Sequence, residues 1–185
     1  MAQGFSMTRK GVEATFERGE VVLLRELISD LVGRLEAGGA ATPVGTDPLE
    51  AMIGISSAPV EAPVDPIVAR LLPDAHASDK EVADEFRRLA DGDLRASRVA
   101  AYSAVLEDLA AAPDGHVKID REQAEVWLRV INDLRLATGT VADVTEDLDY
   151  TDLDSLDPDD PRAAFLHLYD WLTWLQSRLL GVLTG

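Results

Sequence analysis

Histidines and nearby carboxylates are the side chains of this chain that would bind a metal ion most readily. The histidines His76, His116 and His167 lie far apart in the sequence. His167 and Asp170 are three residues apart, which places both on one face of a helix at a spacing compatible with metal ligation. Two ligands do not make a zinc site, which takes three or four protein ligands. The sequence therefore predicts no specific metal centre.

The acidic stretch before the last helix offers a second possibility, a calcium loop. Asp147 and Asp149 occupy positions one and three of an EF-hand pattern. Position six of that pattern requires glycine and position twelve a bidentate acid, but Asp152 and Pro158 stand there. The chain also lacks a phosphate-binding glycine loop and a Gly-x-Ser-x-Gly elbow. We therefore expect a protein without catalytic residues, cofactor or enzymatic activity.

Composition excludes further kinds of chemistry. The 185 residues include no cysteine, which removes disulfides, thiol catalysis and cysteine-ligated metals and fits a reducing compartment. No signal peptide or membrane segment is recognisable, so a cytoplasmic protein is expected. The formal net charge is −17, which repels phosphate backbones and favours a protein partner with a basic surface.

The elements that must position any functional residue are mostly helices, and the last one is the most apolar. Leucines and aromatic side chains lie on several faces of residues 165–183, so we expect neighbours to bury this helix on all sides as the central helix. Asp160 and Pro161 supply its N-cap and first turn. Its predicted stripe comprises Phe165, Leu168, Leu172, Leu175, Leu179 and Leu183.

The first part of the chain predicts a strand, a helix and a loop. Residues 11–16 alternate apolar and polar side chains as a strand does, and a helix with an apolar stripe follows over 20–36. Residues 38–64 are rich in Ala, Pro, Gly, Ser and Thr, which predicts a mobile loop with one short helical plug at 47–54. A second plug over 65–73 begins with an Asp-Pro cap.

The middle of the chain adds two helical regions and a strand. Ser78 caps a region with apolar stripes on both sides of Gly92, which is readable as one bent helix or as two. Residues 116–119 form a second strand that can pair with the first. A capping box at 120–123 then opens a helix that Gly139 ends.

A solvated connection is expected before the last helix, because residues 143–160 contain nine acidic residues and no basic one. The whole pattern predicts a mainly α-helical fold, in which residues 1–185 form a single domain. About six helices surround a buried C-terminal helix, with a small two-stranded β-hairpin beside them.

Three phrases of the sequence carry a family resemblance. They are Leu-Leu-Pro-Asp-Ala at 71–75 with Glu-Phe-Arg-Arg at 85–88 and Leu-Arg at 94–95, Glu-Gln-Ala-Glu-Val-Trp-Leu at 122–128 with Asn-Asp-Leu-Arg-Leu-Ala-Thr-Gly-Thr at 132–140, and Tyr-Asp-Trp-Leu-Thr-Trp-Leu-Gln at 169–176. From about residue 9 onward, the chain resembles an actinobacterial family long described as a domain of unknown function. Its genes often lie beside that of the ClpS adaptor, and it includes the AosR-type oxidative-stress regulators.

The resemblance implies a redox-responsive regulator of transcription that acts through an extracytoplasmic-function sigma factor or RNA polymerase. The best-described branch of the family senses oxidants through a cysteine pair, which this chain lacks. Met1, Met7 and Met52 carry its only sulfur atoms, so no reversible disulfide can form. We therefore expect a protein partner, as the resemblance implies, but no sensing of oxidants by a thiol of this chain.

Six residues of the last two helical segments are candidates either for partner binding or for anchoring the core. Asn132 and Arg135 lie about one turn apart, and we expect Arg135 to meet Asp170 as a buried pair. Trp171 and Trp174 lie on neighbouring faces, where burial of both is favoured over a partner hot spot. The six are Trp127, Asn132, Arg135, Asp170, Trp171 and Trp174.

Alternatives to a transcription regulator with a protein partner stay open. Direct DNA binding would use a small basic face of Arg87, Arg88, Arg95 and Arg98. A protein-interaction module linked to Clp/ClpS proteolysis is suggested only by the gene neighbourhood usual for the family. A homodimer and a small-molecule site between the last two helices are also left open.

Overall fold

A computed structural model describes residues 3–9, 11–39, 63–73, 80–145 and 160–185. In these ranges the chain forms five helices and one three-stranded sheet, which confirms the predicted mainly α-helical fold. The helices are α1 (Arg18–Gly39), α2 (Pro66–Leu71), α3 (Lys80–Ala111), α4 (Arg121–Val141) and α5 (Pro161–Thr184). The strands are β1 (Gly4–Thr8), β2 (Gly11–Thr15) and β3 (His116–Ile119).

The sheet is antiparallel, with β2 between β1 and β3. The predicted pairing of the two strands is confirmed, and Val12 lies opposite Ile119. Strand β1 was not predicted, so the expected hairpin is a three-stranded sheet. Its five residues carry only two large apolar side chains, Phe5 and Met7, an alternation too short to distinguish from an irregular N-terminus.

Helices begin where the local signals predicted. The Asp65 carboxylate accepts hydrogen bonds from the amides at the start of α2. Asp120 and Gln123 form the predicted capping box of α4, with each side chain bound to the backbone of the other. Asp160 accepts from the amide of Arg162 at the start of α5. Each side-chain oxygen satisfies an amide that has no partner inside its helix.

Helix α3 is one continuous helix through Gly92, which settles the choice between one helix and two. Other predictions lie outside the described residues: the helical plug at 47–54, the Ser78 cap, and most of the connections 38–64 and 143–160.

Gly139 does not end α4, which continues to Val141. A Cβ atom added at Gly139 would lie 3.0 Å from a ring carbon of Tyr169 on α5. The glycine therefore allows close approach of two helices, and this tertiary role cannot be read from its position near the end of an apolar stripe.

The central helix of the fold is α4, because it packs against α1, α2, α3, α5 and β2. The prediction that neighbours surround the last helix is wrong. Leu172, Leu175 and Leu179 are buried as expected, but Phe165 and Trp174 are each 39% exposed. Helix α5 carries apolar residues on several faces because one side meets α4 and another meets β1, while a third faces solvent.

Three aromatic rings join the sheet to the central helix. Trp127 of α4 is 1% exposed and stacks on Phe16, with ring centroids 5.9 Å apart. The Phe5 ring meets the same indole edge-on at 5.6 Å. The indole Nε1–H donates to the Asp108 carboxylate of α3 at 2.8 Å, which satisfies the one polar atom of the buried ring. Trp127 is thus a core residue.

Two arginines donate to the carbonyls at the ends of the last two helices. Arg121 Nη2 donates to the carbonyl oxygen of Leu183 at 2.7 Å, near the end of α5. Arg162 Nη2 donates to the carbonyl oxygen of Ala142, the C-cap of α4, at 3.0 Å. Helix C-terminal carbonyls lack intrahelical donors and carry partial negative charge, so a cation stabilises them.

We expect Gly139→Leu to lower the free energy of unfolding by about 1–3 kcal/mol, because the new side chain must displace Tyr169 in a packed interface. Gly92→Leu is the matched control, since nothing lies within 4 Å of a Cβ there. That substitution should instead stabilise α3 by up to about 1 kcal/mol through higher helix propensity. Urea denaturation measures both changes, and equal effects at the two positions would contradict the packing role of Gly139.

Candidate functional site

Arg95, a member of the predicted basic face, points into the protein. Its side chain is 9% exposed and its Nε lies 2.5 Å from the Asp91 carboxylate one turn earlier on α3. Its Nη1 donates to the carbonyl oxygen of Leu35 near the end of α1 at 3.0 Å. Arg95 therefore connects two helices and offers little surface to a nucleic acid.

Arg98 lies one turn further along α3 and forms a second inward-facing network. Its Nη1 pairs with the Asp133 carboxylate of α4, and its Nη2 donates to the carbonyl oxygen of Leu71, the last residue of α2, at 2.7 Å. The Tyr102 hydroxyl donates to the same Asp133 oxygen at 2.9 Å. Arg98 thus connects α3 both to α2 and to the Asp133 carboxylate of α4, which is almost fully buried.

The ionisation of Tyr102 follows from this network. Burial raises the pKa of the phenol above its ordinary range, and the adjacent negative charge of Asp133 raises it further. The phenol therefore stays protonated and remains a hydrogen-bond donor at every physiological pH. Such a donor stabilises the buried carboxylate without adding charge.

A basic face of four arginines is therefore not formed as predicted. Arg95 and Arg98 pair with acids and with helix-end carbonyls. The side chains of Arg87 and Arg88 lie outside the described part of the chain. Sequence reasoning counted the arginines on one helix but could not see that two of them face other helices.

A further ion pair fixes the start of α2 against α1. Arg34 of α1 lies 2.7 Å from both the Asp30 and Asp65 carboxylates. Desolvation opposes ionisation of Asp65, but hydrogen bonds from Arg34 and from the first amides of α2 hold the pKa of its carboxyl below the ordinary value. Helix α2 is thus held by an arginine at each end.

Two pairs of polar side chains form hydrogen bonds across the interface between α4 and α5. The Gln176 amide donates to Asn132 Oδ1 at 3.1 Å. Arg135 Nη1 donates to the Tyr169 hydroxyl at 3.2 Å, and the guanidinium carbon lies 5.5 Å from the centroid of that ring. These contacts align the two helices, so Asn132 and Arg135 have structural partners.

The expected pair between Arg135 and Asp170 is not formed. Asp170 is exposed, and within the described ranges it makes no ion pair with Arg135. The reason is helical geometry, since successive residues are rotated by about 100° and Tyr169, not its neighbour, faces α4. Arg135 Nε is buried without a hydrogen-bond partner. The contact with the Tyr169 ring takes the place of the carboxylate.

The two tryptophans of α5 differ in burial, whereas burial of both was favoured. Trp171 is half-buried and packs against the core. Trp174 is 39% exposed, and its ring edge lies against Gly4 of β1. Of the pair, only Trp174 presents substantial aromatic surface to a partner.

The residues that the structure describes contain no group of three or more His, Asp or Glu side chains that could hold a metal ion. No helix among them is long and apolar enough to cross a bilayer.

The fold and its inward-facing arginines thus define a mainly α-helical protein whose buried polar groups serve packing. The chain belongs to the family described as a domain of unknown function, DUF2017, whose model matches residues 2–183. This membership confirms the resemblance found in the sequence.

Among curated proteins, the chain is 30% identical over 181 residues to the oxidative stress regulator AosR of Mycobacterium tuberculosis. The match covers 90% of this chain and 79% of that relative, and the Mycobacterium bovis protein of the same name matches equally well. A putative oxidative stress regulator AosR of Mycobacterium leprae is 29% identical over 174 residues, covering 87% of this chain and 77% of the relative. No solved structure matches the chain.

Sequence reasoning missed the network around Asp133, although one signal was available. Asp133 lies within the stripe of buried apolar residues Val130, Ile131, Leu134 and Ala137. A carboxylate at such a position needs a cation and a donor from another element. On α3, Arg98 and Tyr102 share a helix face and could have been proposed as that pair.

We expect Asp133→Ala to lower the free energy of unfolding by about 2–4 kcal/mol, because it leaves Arg98 and the Tyr102 hydroxyl without their shared acceptor. Asp30→Ala removes a carboxylate from the exposed Arg34 pair and should cost at most about 1 kcal/mol. Chemical denaturation of both variants at neutral pH measures the difference. A loss at position 133 no larger than at position 30 would contradict a structural role for the network.

Proposed function

We propose that this protein is a non-enzymatic regulator of the oxidative stress response that acts by binding a protein of the transcription machinery, a sigma factor or RNA polymerase. The observation that carries the proposal is the match of 90% of the chain to proteins named oxidative stress regulators.

The distribution of charge supports a protein partner with a basic surface. The chain has 34 acidic and 17 basic residues. Arg95 and Arg98 are each paired with one acid, Asp91 and Asp133, so the excess of acidic residues lies on the rest of the chain. A surface field of one sign speeds the encounter with a partner of opposite charge.

Direct DNA binding is a weaker alternative for the same reason. The described arginines of the supposed basic face are occupied by Asp91 and Asp133 and by helix-end carbonyls. Exposing them to phosphates would break contacts that connect four helices. Duplex DNA would also have to approach a chain with a formal net charge of −17.

The absence of cysteine changes how such a regulator would respond to oxidants. A reversible disulfide cannot form within this chain. In the proposed function, the oxidant signal therefore reaches the complex through the partner. Binding to a partner in its reduced state and in its oxidised state would then differ because the partner changes.

We expect purified protein to bind RNA polymerase holoenzyme of its own organism, with an affinity that falls several-fold as ionic strength rises from low to physiological values. Biolayer interferometry at a series of salt concentrations measures this dependence. Core polymerase without sigma factor is the control: binding that is lost with core polymerase identifies the sigma factor as the partner, and binding that is retained identifies the polymerase. Binding that ignores salt would contradict charge steering.

A parallel affinity purification from untreated and peroxide-treated cells tests the partner's identity. Sigma factor or polymerase recovered under both conditions supports a regulator without its own redox switch, and recovery only after peroxide places the sensor in the partner. Recovery of Clp proteins with neither of these would reject the transcription role.

A further inference from the structure

The exposed side of α5 carries an aromatic side chain and a carboxylate one turn apart. Trp174 is 39% exposed, and Asp170, four residues earlier, is also exposed. Residues four apart lie one above the other on a helix, with their Cβ atoms about 6 Å apart. Arg178, four residues after Trp174, lies on the same side and is also exposed, and its Cγ would be 3.4 Å from a Cβ added at Gly4. Trp174 therefore has an acidic residue one turn before it and a basic residue one turn after it.

The indole of Trp174 is held in place by the sheet. The Cη2 atom would lie 2.9 Å, and Cζ2 3.3 Å, from a Cβ added at Gly4. Gly4 has a φ of +65°, a conformation that residues with a side chain rarely adopt. The ring edge therefore rests on the backbone of β1, and an aromatic surface ordered before binding costs less entropy when a partner binds.

Asp170 has no counter-charge in the described part of the chain. It forms none of the ion pairs or hydrogen bonds found among those residues, unlike Asp91 and Asp133 on the core side. A carboxylate beside an exposed indole offers two favourable contacts to a single guanidinium. The carboxylate accepts charge-assisted hydrogen bonds, and the ring face attracts the planar cation.

We propose that Asp170 and Trp174 form a receptor for an arginine side chain of a basic protein partner. The inference rests on the proposed function for the partner's identity and deepens it by naming the side chain that the partner presents. Arginine fits better than lysine, because its planar group can stack on the indole while donating to the carboxylate.

Charge also decides between occupants of this surface. A second copy of the chain would bring another net charge of −17, and nucleic acids and anionic lipid surfaces are negative as well. A basic protein surface is the occupant that complements the chain. An arginine already used within this chain, such as Arg135 over Tyr169, shows the same kind of contact inside the fold.

A first experiment uses an arginine-rich peptide as the probe and observes the indole N–H resonance of Trp174 by NMR, assigned from its loss in Trp174→Phe. We expect this resonance to shift with the arginine-rich peptide and to stay in place with a glutamate-rich peptide of equal length. Asp170→Asn should reduce the shift markedly. Shifts confined to other acidic parts of the chain would overturn the proposal.

A second experiment measures binding of full-length variants to RNA polymerase holoenzyme. Trp174→Ala should weaken binding about 30-fold or more, as expected for an interface hot spot. Asp170→Asn, which leaves the fold intact because its side chain is exposed, should weaken it about fivefold. Phe165→Ala is the matched control, since Phe165 is equally exposed on the same helix but has no acidic residue one turn away.

The outcomes separate this inference from the proposed function. Wild-type affinity in both Asp170→Asn and Trp174→Ala, with wild type bound to polymerase, overturns the arginine receptor and leaves the regulator intact. Another outcome is that polymerase does not bind the wild-type protein, while the arginine-rich peptide shifts the Trp174 resonance in the wild type but not in Asp170→Asn. The arginine receptor then stands, and the partner is another basic protein. A uniform loss in all three variants, including Phe165→Ala, overturns the receptor in favour of a general effect on α5.

Discussion

The arrangement of helices depends on arginines that donate to the carbonyl groups at helix C-termini. Three helix ends receive such a donor from another element, a fourth arginine donates to a carbonyl one turn before the end of α1, and none of the four long helices has a basic residue in its own last turn. The donor and acceptor pairs are Arg95 with Leu35, Arg98 with Leu71, Arg121 with Leu183 and Arg162 with Ala142. Each arginine belongs to an element other than the helix whose carbonyl it binds. Each of these hydrogen bonds therefore also fixes the position of the accepting helix relative to its neighbour.

This use of arginine also shapes the surface. Carboxylates that face the core, such as Asp91 and Asp133, are neutralised by these same side chains, whereas Asp170 remains exposed. Because the chain has twice as many acidic as basic residues, and Arg95 and Arg98 each neutralise one acid, the acidic excess lies on the rest of the chain. The placement of the arginines therefore affects both the ion pairs of the core and the net charge of the surface. A regulatory protein with a basic partner is consistent with that distribution.

Local signals allowed much of the secondary structure to be predicted, and long-range contacts account for the rest. The caps at Asp65, Asp120 and Asp160 depend on neighbours within three residues, so the sequence contains all the information that they need. Gly139 is a glycine because Tyr169 packs on it, and no local pattern contains that fact.

The residues of the candidate site could likewise be named from local sequence, whereas their exposure depends on long-range contacts. Trp174 and Asp170 could be named from the sequence, but their exposure depends on which side of α5 meets β1 and α4. The inward direction of Arg95 and Arg98 likewise depends on the positions of α1, α2 and α4. Family resemblance supplied the regulatory class, which neither periodicity nor composition contained.

The pairing of β2 with β3 has a consequence for synthesis of the chain. Thr15 Oγ1 and His116 Nδ1 are 3.0 Å apart although 101 residues separate them in the sequence. At a translation rate of about 5–20 residues per second, the N-terminal hairpin waits several seconds for its third strand and for Trp127. Until then Phe5 and Phe16 have no indole to pack on, and contacts this distant in sequence slow folding. The first two strands therefore complete their packing only after β3 and α4 have been synthesised.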